Sequence, residues 1–307
     1  MAVQDAPRST ELSGMAIAQA SACSGEVDTG SPIRTCANQR IPAAGRPARR
    51  LPAQKDWPSV AIIATQVLIL VAVIGSWEVA ARAGWLDAFF WSQPSAIWKT
   101  LIIFFTEGDA WTDIGFTFRS TILGFIIGTT AGSLLGLSFW WSRNYAAVAQ
   151  PYIICFESIP KLALAPLIIL VFGLDVTSKV VIAVALTIVV STLTTYAGVK
   201  ALDPDGEKLF YSLGASRWQV FRKLVVPSCL PWIISVLRVN IGLALTGAIV
   251  GEFISSQHGL GRTIFYAGST YDIALVWVAV FVLSTLAVIM YAVVSWIENV
   301  LRKGTRQ

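Results

Sequence analysis

Residues 201–227 read ALDPDGEKLFYSLGASRWQVFRKLVVP, a polar stretch between two long apolar blocks, and it is punctuated like two short helices. Asp203 followed by Pro204 opens the first. An aspartate side chain accepts a free N–H of the first turn, and proline at the first helical position has no N–H to leave unpaired. Gly214 closes that helix, because glycine takes the left-handed conformation without strain. Ser216 and Gln219 have the spacing of a capping box, which starts a second helix running into Pro227. The expectation is a helix over 204–213, a tight elbow at Gly214, Ala215 and Ser216, and a second short helix ending where the next apolar block begins. Leu209, Phe210 and Leu213 before the elbow, with Trp218 and Phe221 after it, make an apolar ridge. Left bare in water the ridge is a hydrophobic patch, so it implies a soluble partner with a groove.

On both sides of this loop the chain becomes apolar in blocks of about 20 residues, the length that crosses a bilayer core. The spans fall at about 59–81, 115–139, 148–172, 178–199, 230–254 and 274–298. Strand-like alternation is lacking, which disfavours a membrane β-barrel. The fold class is therefore an all-α integral membrane protein of six transmembrane helices. Of the 307 residues, 55% are hydrophobic and 13% charged, too few charges to cover a water-facing surface.

The net charge of +5 reflects basic residues beside the apolar blocks, so it reads as membrane anchoring and not as a nucleic-acid surface. Arg143, then Lys200, Lys208, Arg217, Arg222 and Lys223, then Arg302, Lys303 and Arg306 fall on one side of the six-span arrangement. The loop 83–113 on the other side has Lys99 against Asp87, Glu107, Asp109 and Asp113. That bias places both termini in the cytoplasm. Residues 1–56 are poor in large apolar residues and read as a disordered cytoplasmic tail, with Arg46, Arg49, Arg50 and Lys55 as the anchor of the first span. Residues 57–112 hold the first span and an aromatic segment (Trp85, Phe89, Phe90, Trp91, Trp98) at the outer interface. The main membrane domain is 113–300, and 301–307 form a basic tail.

Within the spans, a few residues carry chemistry. Gly124, Gly128, Gly132 and Gly136 recur every four positions, a stripe that lets another helix approach backbone to backbone, chiefly as packing within the subunit. Pro151, Pro160 and Pro166 should break or kink the third span. Glu157 and Lys161 lie four apart on one face of it, either as an ion pair near the cytoplasmic end or as a polar lining of a pathway. Arg238 in the fifth span costs about 2.5–3.5 kcal/mol at mid-bilayer and is a candidate to face the bundle interior. Glu78 and Glu252 lie near the outer interface as weaker candidates. One histidine, His258, and four cysteines without metal-ligand spacing leave no metal site to argue for.

The 201–227 loop resembles the EAA loop of binding-protein-dependent ABC transporter permeases, whose pattern is E-A-A, three residues, G, nine residues, I-x-L-P. Gly214 fills the glycine position and Pro227 the proline. Leu224 and Val226 stand for the I and L, and Lys208, Leu209 and Phe210 replace E-A-A, with Glu207 adjacent. The segments SIPKLALAPLIILVFGL (158–174), TYAGVKALDP (195–204) and VGEFISSQHGLG (250–261) look like the branch importing aliphatic sulfonates, nitrate or taurine. The resemblance implies a type I ABC importer permease in a bacterial inner membrane, working as a homodimer or paired with a second permease. Lys208, Leu209, Phe210, Gly214, Ala215, Ser216, Arg217 and Pro227 would dock on a cytoplasmic ATP-binding cassette subunit. An external solute-binding protein would deliver the substrate, either an organic anion of that branch or a vitamin or vitamin precursor. The chain has no G-x-x-x-x-G-K-[ST] phosphate cradle, so ATP binding and hydrolysis are expected of the partner and not of this chain. An ion-coupled secondary transporter is the rival reading. It would show broken helices at matching positions of two repeats, and only one span has such signals.

Overall fold

The computed structural model describes residues 58–304, and among them the secondary structure is entirely helical. The expected tail 1–56 lies outside the described residues. Helix α1 is Ser59–Arg82. After a single turn at Ala88–Trp91 comes α2, Pro94–Thr106. Helix α3 is Ala110–Ser138, prolonged by a 3-10 turn at Phe139–Trp141. Helices α4, Arg143–Ser158, and α5, Ala165–Phe172, flank a 3-10 turn at Lys161–Leu164. Then follow α6, Val176–Lys200, and α7, Pro204–Ser212. Helix α8 is Val226–Ile254, α9 is Leu260–Ser269 and α10 is Ile273–Gly304. The last helix runs past the expected end of the sixth span, so residues 301–304 continue it, and 305–307 lie outside the described residues.

Five of these helices are long and apolar enough to cross a membrane, and the pair α4–α5 makes the sixth span when counted as one. That pair is bent by 75° at Ser158–Lys161. Pro160 explains the break. It has no N–H to donate, and it biases Ile159 to an extended backbone, seen as ψ 130.

The core is a three-helix stack of α3, α6 and α8. Lipid offers no hydrophobic drive between helices, so close packing and polar links must hold them. The glycine stripe supplies the packing. A β-carbon at Gly124 would lie 2.3 Å from Ala183 Cβ, and one at Gly132 would lie 2.3 Å from the carbonyl oxygen of Ile188. One at Gly136 would lie 2.7 Å from Thr195 Cβ. The stripe thus meets a matching row on α6, Ala183, Thr187, Ser191 and Thr195, with the same four-residue repeat. From the other side Gly247 of α8 also approaches Ala183, such that a β-carbon on it would lie 2.8 Å from the Ala183 Cα. The polar link is Asn240 of α8, fully buried, whose Nδ2 donates to Thr129 of α3 at 2.9 Å and to Ser191 of α6 at 2.6 Å.

Around this stack, α2 and α10 form an apolar layer built on Ile97, Phe104, Val278 and Met290. Helix α1 is peripheral, and its apolar side chains face outward along most of its length. Contacts sort the loops onto two sides. Arg217 meets Trp141 at the C-terminal end of α3, whereas Asp113 at the other end of α3 meets Gly259. The elbow and the 255–263 loop therefore lie at opposite ends of the bundle.

Candidate functional site

The elbow is built by backbone and side-chain caps in series. Asp203 Oδ1 accepts the N–H of Asp205 at 3.0 Å and Pro204 occupies the first position of α7. At the other end of α7 the Gly214 N–H donates to Tyr211 O and the Ala215 N–H to Phe210 O, both at 3.0 Å. That pair of bonds is a Schellman closure, and it needs the left-handed backbone that Gly214 takes at φ 79°. Ser216 Oγ accepts from the Gln219 N–H while Gln219 Oε1 accepts from the Ser216 N–H at 2.8 Å, a complete capping box. The elbow is thus fixed by short-range bonds on both sides of Gly214.

Beyond the elbow the structure departs from expectation. The second helix does not stop where the fifth span begins. A turn at Arg217–Val220 passes through a π turn at Phe221–Val225 into α8, so the helical run Arg217–Ile254 has no break. Pro227 is the reason: it cannot donate to the carbonyl of Lys223, and its ring crowds that carbonyl. Widening the preceding turn, with the Val226 N–H donating to Phe221 O, relieves both.

The elbow is also attached to the end of α3. Arg217 donates to the carbonyl oxygen of Trp141 at 2.9 Å, and its guanidinium lies 5.9 Å from the Trp140 ring and 5.8 Å from the Trp141 ring. Trp218 stacks on Trp141 and on Phe221. The expected ridge is divided by this packing. Phe210 and Phe221 turn inward against Val220 and Val225, while Leu209, Leu213 and Trp218 remain exposed. Lys208 pairs with Asp205 at 2.8 Å on the open surface, where such a pair contributes little.

Arg238, expected to face the bundle interior, pairs with Glu298 of α10 at 2.6 Å, also donates to Ser295, and lies against the Tyr291 ring. Its charge is therefore matched inside the subunit. Glu157 and Lys161 form the expected ion pair, at 3.3 Å, at the α4–α5 bend. Between α4 and the α3–α6 pair lies a cavity of about 440 Å³ whose lining includes Phe139, Tyr145, Tyr152, Phe156 and Thr192.

Sequence reading gave little weight to a second site on the far side. Asp113, Thr117, Lys179 and Glu252 are all buried there. The Gly259 N–H donates to Asp113 Oδ1 at 2.8 Å, the Leu260 N–H to Thr117 Oγ1 at 2.9 Å and the Gly261 N–H to Glu252 Oε2 at 2.8 Å. Thr263 donates to the other Asp113 oxygen and Thr117 to Glu252 Oε2. Lys179 Nζ donates to the carbonyl oxygens of Leu174 and Ser255. The signal for this cluster was ionisable residues at span ends facing a G-x-G, but its partners lie far apart in sequence. No local pattern joins them.

Residues 128–306, more than half of the chain, match the family model described as "Binding-protein-dependent transport system inner membrane component". A formylaminopyrimidine transport permease protein of Halalkalibacterium halodurans is 32% identical, the match covering 77% of this chain and 93% of that protein. A taurine transport system permease protein of Escherichia coli is 24% identical over 73% of this chain and 84% of that one. Among solved structures, a bacterial ABC transporter involved in alginate import superposes with a TM-score of 0.56 at 15% identity, covering 78% of this chain and 94% of that one, a likeness of fold. The chain belongs to the binding-protein-dependent ABC importer permeases: it is a multi-pass inner-membrane subunit of type I fold, a transport component and not an enzyme.

Proposed function

We propose that this subunit is driven by a cytoplasmic ATP-binding cassette protein that seats on the α7 elbow, and that it lines a solute pathway together with a second copy of itself. The observation that carries this reading is the elbow's rigidity together with its exposed Leu209, Leu213 and Trp218. A doubly capped turn joined without a break to α8 transmits displacement, and its bare apolar side chains await a groove. On this reading the elbow side is cytoplasmic, in accord with the basic loops, and the 255–263 side is external, where a solute-binding protein delivers substrate. Lys208, Leu209, Phe210, Gly214, Ala215, Ser216, Arg217 and Pro227 make up the coupling segment.

For the substrate we favour an uncharged aromatic heterocycle, of the vitamin-precursor kind, over a sulfonate, nitrate or taurine. Arg238, the cation on which an anion assignment leaned, is already paired with Glu298, and Lys161 with Glu157. The cavity beside α4 presents aromatic rings and hydroxyls and no basic side chain. Planar solutes stack on such rings, whereas a sulfonate needs donors or cations. The relative named for a pyrimidine is also more similar than the one named for taurine.

The test is uptake by proteoliposomes holding this chain, its co-expressed ATPase and its binding protein. ATP-dependent accumulation of a labelled aminopyrimidine, unaffected by excess taurine, is the expected result. Accumulation of taurine alone overturns the substrate assignment. Failure of an ATPase to co-purify, together with survival of uptake after Leu209→Asp and Leu213→Asp, overturns the elbow assignment.

A further inference from the structure

We propose that Glu252 is the positioning residue of a far-side latch, which holds α9 seated through the Gly259–Gly261 turn and releases it when its carboxylate turns to Lys179. The inference rests on the elbow being the ATPase contact, because α8, which bears Glu252, is the same unbroken helical run that begins at the elbow.

Three observations lead there. First, the N-terminus of α9 leaves backbone N–H groups that no residue within that helix can accept, and side chains of other helices take them. Asp113 and Thr117 of α3 and Glu252 of α8 accept from Gly259, Leu260 and Gly261 in turn. A helix seated by such directed bonds has one defined docked position, unlike helices sliding on apolar faces. Second, the seat is shaped for Glu252. A β-carbon at Gly259 would lie 2.5 Å from the Glu252 carboxyl carbon, and one at Gly261 would lie 2.8 Å from Glu252 Cβ. Third, the seated arrangement leaves a polar atom unused. Glu252 is 1% exposed, and its Oε1 has no hydrogen-bond partner among the described residues. Lys179, fully buried beside it, spends two donors on Leu174 and Ser255, and its third ammonium proton has no acceptor among the described residues.

A buried carboxylate oxygen without a donor costs free energy, and ionisable groups inside membrane bundles mark functional positions. The unused oxygen and the unused proton define a second arrangement. If α8 shifts, Glu252 exchanges its bonds to Gly261 and Thr117 for an ion pair with Lys179, and the N-terminus of α9 loses one of its three side-chain acceptors. The seated state keeps the outer mouth closed, and movement of the elbow at the other end of the α8 run favours the exchange.

The test uses the assembled transporter in lipid nanodiscs, with native cysteines replaced and the buried Ala267 of α9 changed to cysteine as a reporter for a membrane-impermeant maleimide. Without nucleotide the reporter should be protected, and ATP with vanadate should raise its labelling rate by about tenfold or more. The two Glu252 variants should then diverge. Glu252→Gln keeps a carbonyl oxygen for Gly261 and Thr117 but loses the charge that attracts Lys179, so its reporter stays protected even with nucleotide. Glu252→Ala removes the acceptor, so its reporter labels without nucleotide. Thr117→Val, a milder change, should label at an intermediate rate and covers the case in which Glu252→Ala does not fold. A purely structural Glu252 would shift both its variants in the same direction, which overturns the latch, as does wild-type protection in Glu252→Ala. If ATP and vanadate leave the wild-type reporter protected with the ATPase bound, the link to the elbow is overturned. If no ATPase binds, the elbow reading fails, and the Glu252→Gln and Glu252→Ala contrast still decides the latch.

Discussion

Gly128 of α3 and Thr187 of α6 meet so closely that a β-carbon on the glycine would lie 1.9 Å from the threonine hydroxyl oxygen. Thr187 Oγ1 is itself tied to Ala183 O at 2.9 Å, so it cannot swing away without losing that bond. The expected outcome of Gly128→Ala is a widened α3–α6 contact and a loss of about 1–3 kcal/mol of stability. Gly132→Ala should be at least as damaging, because its obstacle is the carbonyl oxygen of Ile188, which is backbone and cannot change rotamer. Gly242→Ala, with no atom within 4 Å of the new β-carbon, is the matched control and should be neutral. Thermal unfolding of the three variants in detergent compares them directly.

Gly214 poses the opposite case, with open space around it and a demanding backbone. Nothing lies within 4 Å of its would-be β-carbon, yet its φ is 79°. Gly214→Val should cost about 1–2 kcal/mol at the elbow, by pressing a branched residue into the left-handed region. The Schellman bonds from Gly214 and Ala215 would open. Gly214→Asn, which tolerates that region, should keep most function. The measurement is ATP-dependent uptake beside membrane-inserted protein level. Valine should abolish uptake and spare insertion, and equal uptake by all three proteins would refute the elbow's role.

Arg217 joins the elbow to the end of α3 with three contacts: a bond to Trp141 O and two ring faces. Lysine keeps the charge but has no planar group to stack while donating, so Arg217→Lys is not conservative here. The expected outcome is ATPase binding weakened less than by Leu209→Asp and Leu213→Asp, with uptake lowered several-fold because the elbow no longer moves as one piece with the end of α3. Co-purification and uptake measured on the same preparation separate the two effects.

The elbow was legible in the sequence because its determinants are local. Asp203, Gly214, Ser216 and Gln219 each act within a few residues. The glycine stripe and the break at Pro160 were legible for the same reason, one through its four-residue repeat and the other through a missing donor. What escaped the reading depends on distant partners. Nothing near Arg238 announces Glu298, and nothing near Glu252 announces Thr117. The run-on from the elbow into α8 was misread because Pro227 looks like a start. Only the geometry shows that a π turn lets the helix pass through it.

The Arg238–Glu298 pair gives an asymmetric prediction. The Glu298 side chain is 5% exposed and that of Arg238 41% exposed. Removing the arginine takes a cation away from a buried carboxylate, whereas removing the glutamate leaves a part-exposed arginine that water can solvate and that still reaches Ser295 and the Tyr291 ring. Arg238→Met should therefore lower the unfolding midpoint by a few degrees and reduce folded protein. Glu298→Gln should do less. The double variant should recover much of the loss, because breaking a buried pair by one partner costs more than replacing both. The same variants bear on the substrate. Were Arg238 an anion contact, Arg238→Met would raise KM for uptake without touching stability, and Glu298→Gln would leave KM alone or lower it by freeing the cation. A pair that serves α8–α10 packing gives the reverse pattern, with stability moving and KM fixed. The thermal midpoints and the KM values of the three variants, taken together, distinguish a structural arginine from a recognising one.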